Sequence, residues 1–170
     1  KASIEKEDLE VLLPLIAKVE PMVILEIGIH QGYSMETWHK AFPKAVIFGI
    51  EKNMPTSKSI KGFNNGYFYW GADSHNSETQ DKVFNEIKLF GNAIDFLFID
   101  GDHSLEGVKK DFEMYSPLVK KGGIIVFHDC VYHADKTEEV DIFWPEIKQK
   151  FPYVEIKVGK NSTGMGVIWV

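Results

Sequence analysis

Short apolar runs recur along the chain, separated by stretches with helical patterning. The runs are MVILEIG (22–28), VIFGIE (46–51), YFYW (67–70), IDFLFID (94–100) and GIIVFHD (123–129). They are continuous rather than alternating, which predicts strands covered on both faces, as in a parallel sheet. Helical patterning fills 3–19, 35–42, a short piece at 57–62, then 77–90 and 105–119. Strand and helix alternate, so a doubly wound, Rossmann-like α/β fold is expected. The end of the chain departs from this rhythm. After a helix at 143–151, the runs VEIKV (154–158) and GMGVIWV (164–170) are joined by GKNST, which is too short for a crossover helix. The last strand should therefore run antiparallel, as a C-terminal hairpin strand on a mostly parallel, seven-stranded sheet.

A length of 170 residues supports one core rather than two ordinary domains, so a single domain over 1–170 is expected. No stretch approaches a membrane span, and no basic-then-apolar signal segment opens the sequence. Cys130 is the only cysteine, which excludes an internal disulfide and a Cys-rich zinc site and fits a reducing cytoplasm. A packed, unreactive thiol is the expectation there. All 19 basic residues are lysines and the net charge is −6. Without an arginine fork or a basic face, nucleic acid is not an expected partner. A small-molecule substrate is, with segment 130–139 as a candidate pocket lid or homodimer contact.

The chemistry gathers at the C-terminal ends of the strands, where open α/β sheets bind ligands. EIGIHQGYS (26–34) places Gly28 and Gly32 in a strand-to-helix turn, where backbone can approach a ligand and helix N–H groups can meet an anion. A dinucleotide fingerprint would need glycine at 30 and 33, which are His30 and Tyr33. Glu51 ends the second run, where a carboxylate can accept both hydroxyls of a ribose. GADSH follows the third, placing Asp73 or Ser74 at an adenine edge. The segment 99–130 puts Asp100, Asp102 and His103 at one strand end and His128 with Asp129 at the next. Oxygen ligands from separate loops suit Mg²⁺, and an imidazole among them admits Mn²⁺, Fe²⁺ or Zn²⁺.

EIGIHQGYS resembles the glycine loop of the catechol and caffeoyl-coenzyme A O-methyltransferases. IDGDHxxxxVxxD followed by GGxxxxHD resembles a bacterial methyltransferase family related to cephalosporin-hydroxylase-like proteins, over nearly the whole chain. The resemblance implies a class I S-adenosylmethionine-dependent methyltransferase acting on a hydroxyl oxygen. It implies that Glu26, Gly28, His30 and Ser34 hold the methionine part of S-adenosylmethionine, Glu51 the ribose, and Asp73 and Ser74 the adenine, with Gly32 and Asp100 also at the cofactor. It also implies that Asp100, His128 and Asp129 hold a divalent metal, although the relatives carry an oxygen ligand at the position of His128. His103 stands where the catechol-type enzymes have a catalytic lysine, and imidazole suits proton removal near neutral pH. Its alternative is to cap the following helix or bond Asp102.

Other residues carry weaker expectations. His75, His39 and His133 are expected on the surface, and Trp38 and Trp144 in the core. Trp70, Tyr132 and Phe143 are candidates for an acceptor pocket. An NAD-dependent oxidoreductase and a non-catalytic cofactor- or metal-binding protein remain open as alternatives.

Overall fold

The computed structural model describes residues 4–60, 62–131 and 139–170. Tyr132, His133 and most of segment 130–139 lie outside them. Among the described residues, seven strands form one sheet: β1 (Val23–Ile27), β2 (Val46–Glu51), β3 (Gly66–Trp70), β4 (Ile94–Ile99), β5 (Val119–His128), β6 (Tyr153–Ile156) and β7 (Met165–Trp169). Their order is β3-β2-β1-β4-β5-β7-β6. The first five pair in parallel, and β7 is antiparallel to both β5 and β6, as the short connection requires.

Among the described residues, five α-helices cover the sheet: α1 (Lys6–Ala17), α2 (Tyr33–Ala41), α3 (Ser77–Ile87), α4 (Leu105–Tyr115) and α5 (Val140–Ile147). Alternate residues of the central strands point to opposite faces. Ile24, Phe96, Phe98, Ile124 and Val126 pack with Leu12 and Ile16 of α1 and with Met35 and Trp38 of α2. Leu25, Leu97, Ile125 and Phe127 pack with Val83 of α3, Val108 of α4 and Trp144 of α5. The inner strands are wholly buried, which is why their sequences read as unbroken apolar runs.

Two expectations are corrected. The helix expected at 57–62 is not present over the described residues 57–60: residues 57–59 make turns, and the Ile60 N–H bonds the Gln31 carbonyl at 2.9 Å. That piece offers one apolar side chain among Ser, Lys and Gly, so a helix there would have no face to bury. The fifth strand also starts earlier than its apolar run, at Val119, because a register shift between the Ile94 and Phe96 pairings accommodates the intervening polar residues. Asp95 anchors this irregular stretch. It accepts the Met22 and Val23 N–H groups at 2.8 and 2.7 Å and pairs with Lys120 at 2.6 Å.

The two ends of the described chain are stitched together. Asp8 of α1 is buried, and its Oδ1 accepts the N–H groups of Val158 and Gly159 at 2.7 and 3.0 Å. These bonds fix α1 against the β6–β7 connection, beside the open ends of the parallel strands.

Candidate cofactor and metal site

Gly28 follows β1 with φ +93°, and a Cβ there would overlap the Asp100 carbonyl. Glycine is thus dictated by two strand-end loops pressed together, in addition to any ligand. His30 follows with φ 51°, a left-handed conformation uncommon for a side chain of its size. Its N–H is turned onto Glu51 Oε2 at 2.7 Å. Gly32, also left-handed, precedes α2 and supplies no side-chain cap, so the first N–H groups of α2 remain available to an anion.

Two cavities share Gly28 and His30. One, of about 430 Å³, is lined by Glu51, Asn53, Asp73, Ser74, His75, Asp102 and His103. The other, of about 310 Å³, is lined by Gln31, Gly32, Ser34, Asp100 and, from the N-terminal segment, Ile4 and Leu9. Among the residues expected to hold a cofactor, all but Glu26 line one or other cavity. Glu26 is fully buried and accepts from Ser34 Oγ and from Trp38 Nε1, the latter at 2.7 Å. It supports Ser34 from beneath. Glu51 Oε1 accepts both the backbone N–H of Asn53 at 2.9 Å and its Nδ2 at 2.8 Å. With His30 on Oε2, three of roughly four lone-pair places on the carboxylate are filled. The carboxylate has room for one further donor without rearrangement, where the sequence suggested two.

A second group of side chains meets where β4 and β5 end. Asp129 has φ 60° and is buried, as is His128. His128 Nδ1 lies 3.4 Å from Asp100 Oδ1 and 3.1 Å from Asp129 Oδ2. His103 spans the same carboxylates, with Nε2 3.1 Å from Asp100 and Nδ1 3.2 Å from Asp129. The capping alternative for His103 is not what forms, because Ser104 caps α4 by accepting the Gly107 N–H at 3.0 Å, and Asp102 accepts the Ser104 N–H.

These contacts are close but not all aligned. His128 Nδ1 and both oxygens of Asp129 are buried without a well-directed hydrogen bond, so each has capacity left for a water, an ion or a ligand. Ligand atoms of Asp100, His103 and Asp129 all lie within 4.8 Å of one another. The donor set therefore fits a divalent ion, with His103 rather than His128 in the most convergent group. Without an ion, burial lowers the His128 pKa but the flanking Asp100 and Asp129 outweigh it and push it up to about 10. Burial likewise raises Asp129, yet His128 holds it below the usual carboxylate range. An imidazolium thus stands in for positive charge between the two acids.

Sequence reasoning missed a third cluster. His75 was expected on the surface, yet its side chain is only 19% exposed and its Nε2 lies 3.2 Å from Asp111 Oδ1. Asp111 is fully buried on α4. It shares that helix's inward stripe with Val108 and Tyr115, so a charge in an apolar repeat was the available signal. Burial pushes the Asp111 carboxyl up to about 6, against the pull of Ser74 and His75. Between about pH 4 and pH 6 the folded protein then keeps a proton that the unfolded chain releases, so stability falls as pH rises through that window. Asp111→Asn is expected to gain about 1–3 kcal/mol at pH 7.5 and little at pH 4. Urea unfolding at both pH values measures it, and equal stability of the two proteins at pH 7.5 would show the carboxylate fully compensated.

The remaining aromatic expectations divide. Trp38 and Trp144 are core residues as expected, while Phe143 is buried against Phe112 and Phe127 and lines neither cavity. Trp70 stacks on Phe68 at the sheet edge, and His39 stacks on Phe63 at 4.2 Å. Cys130 is buried, with its thiol pushed up by burial.

The fold and the strand-end cavities together define a methyltransferase-type α/β domain. A profile of the family described as methyltransferase domain matches residues 25–130, more than half of the chain, and the chain belongs to that family. A candidate caffeoyl-CoA O-methyltransferase from Staphylococcus aureus superposes with a TM-score of 0.72 at 20% identity, covering 99% of this chain and 86% of that one. MycE, a methyltransferase of the mycinamycin biosynthetic pathway solved with Mg, S-adenosylhomocysteine (SAH) and mycinamycin VI, superposes with a TM-score of 0.60 at 21% identity, covering 87% of this chain and 44% of that one. An uncharacterized protein of Acanthamoeba polyphaga mimivirus is 47% identical over 49 residues, which is 29% of this chain. The chain spans 22% of that relative's length. No helix among the described residues is long and apolar enough to cross a membrane.

Proposed function

We propose that the protein is an S-adenosylmethionine-dependent methyltransferase that methylates a hydroxyl of a small molecule with the help of a divalent cation. The observation that carries this reading is the pair of cavities joined at Gly28 and His30. One presents Glu51 and the 73–75 turn to a nucleoside, the other the uncapped start of α2 to an amino-acid carboxylate. Asp100 stands on the second cavity and belongs to the acidic cluster, so the methyl donor and the cation site adjoin. MycE, with Mg and SAH bound, supports the same pairing here. The dinucleotide alternative lacks its glycines and is the weaker reading.

In this reading Asp100 and Asp129 hold the cation with His128 behind them, and His103, on the nucleoside-cavity wall, takes the acceptor's proton. The cofactor supplies a sulfonium methyl, and a divalent ion at the carboxylates would lower the acceptor hydroxyl's pKa. With the cofactor's two ends in the two cavities, an acceptor on the adjoining cation would stand close to the sulfonium methyl for in-line displacement, whose rate depends on that proximity. A single cysteine and a net charge of −6 fit a cytoplasmic enzyme of small-molecule metabolism.

Calorimetry with SAH is the test. The wild type is expected to bind it, and Glu51→Ala to bind about thirtyfold more weakly, near 2 kcal/mol, for one charge-assisted hydrogen bond and a released His30 N–H. Binding that ignores Glu51 would move the nucleoside elsewhere. No binding by the wild type would remove the proposed cofactor.

A further inference from the structure

We propose that His75 reads the purine base of the bound nucleoside, and that Asp111 fixes the tautomer in which it does so. This rests on the reading of the larger cavity as the adenosine site. Asp111 is the one buried acid of the IDGDHxxxxVxxD segment that neither cavity nor cation cluster employs. It lies on the inward stripe of α4 with both carboxylate oxygens buried and without a well-directed hydrogen bond. Burying a carboxylate among apolar residues is unfavourable, and an apolar residue would pack the stripe better. Asp111 faces His75 Nε2, 3.2 Å from Oδ1, and the Ser74 side chain.

His75 itself is held by the backbone. Its N–H donates to Asp73 Oδ1 at 2.9 Å, closing the turn after β3, while Tyr115 Oη donates to the Ser74 carbonyl at 2.9 Å. The ring lines the larger cavity. An ionised carboxylate only accepts hydrogen bonds, so beside it the neutral imidazole carries its hydrogen on Nε2 and keeps a bare lone pair on Nδ1. Nδ1 has no hydrogen-bond partner among the described residues and is not enclosed. The cavity wall therefore offers a fixed acceptor beside the 73–75 turn. An exocyclic amine, as on a 6-aminopurine, complements it. A 6-oxopurine places an oxygen lone pair against the nitrogen lone pair. Sites built to pair a polar group discriminate strongly against analogues that leave it unpaired.

A purely structural role, with His75 packing α4 against the turn, would make no such distinction. The experiment compares S-adenosylhomocysteine with S-inosylhomocysteine by calorimetry, for the wild type and for His75→Phe, which keeps a ring and loses both nitrogens. The wild type is expected to prefer the adenosine compound by about tenfold or more, and His75→Phe to bring the ratio within about threefold. An unchanged ratio in His75→Phe, or no preference in the wild type, overturns the proposal. Failure of the wild type to bind either compound would instead overturn the adenosine reading of the cavity. Should His75→Phe not fold, imidazole ¹⁵N spectra of the wild type decide. The Nε2-protonated tautomer with an Nδ1 resonance that moves on adding S-adenosylhomocysteine supports the assignment. An Nδ1-protonated ring, or an unmoved resonance, overturns it.

Discussion

His103→Ala is expected to lower turnover by roughly 10²–10⁴-fold at saturating substrates, the range seen when a positioned proton acceptor is lost. Affinity for S-adenosylhomocysteine should stay within about threefold, since Glu51 and the start of α2 are untouched. The same variant separates the two roles open to this imidazole. His103 lies within 3.2 Å of both Asp100 and Asp129, so it can serve as a ligand or, with a cation between the acids, be released as a base. If the variant keeps the thermal response to metal described next, His103 is the proton acceptor. If it loses both turnover and that response, His103 is the third ligand and the proton goes elsewhere.

Adding Mn²⁺ or Mg²⁺ should raise the melting temperature. A ligand at a hundred times its dissociation constant contributes about 2.7 kcal/mol, which for a chain of this size is roughly 5–10 °C. Asp129→Asn should abolish the rise, and chelation should remove activity that metal restores. The rise should also grow with pH. His128, held near 10 when folded without an ion, stabilises the fold fully below its unfolded value of about 6.5, and that stabilisation fades as pH climbs through 10. Metal then replaces a charge the protein is losing. With His128 behind the acids, His128→Asp should leave the order of preference among ions unchanged, whereas a shift toward Mg²⁺ would make His128 a ligand. Indifference of melting temperature and activity to every divalent ion would leave the cluster as a proton-bridged acid pair.

The sheet was legible because its inner strands are buried on both faces, and no polar residue had to interrupt Ile94–Ile99 except Asp95, which has its own backbone partners. The terminal hairpin was legible from a five-residue connection alone. The short helix at 57–62 was misread because Lys and Ser are compatible with a helix locally, while only tertiary packing decides whether one is kept. Strand-end residues such as Glu51, Asp100 and His103 could be assigned to one rim from topology. What they do to one another could not. That His103 bridges two acids, that Glu26 is consumed beneath Ser34, and that Asn53 occupies half of Glu51 depend on side-chain directions that spacing does not encode. The His75–Asp111 pair joins positions 36 residues apart across two elements, and only the out-of-place charge in α4 hinted at it.

The bond between Asp8 and the N–H groups of Val158 and Gly159 joins positions 150 and 151 residues apart. Ile4 and Leu9, on either side of Asp8, form part of the wall of the smaller cavity. During synthesis the parallel strands emerge in order and can pair as they appear, but this clasp waits for β6 to leave the ribosome. The nascent chain thus carries its acids and glycine turn long before Ile4 and Leu9 are fixed in place, and this part of the cavity wall is set only after β6 has been made.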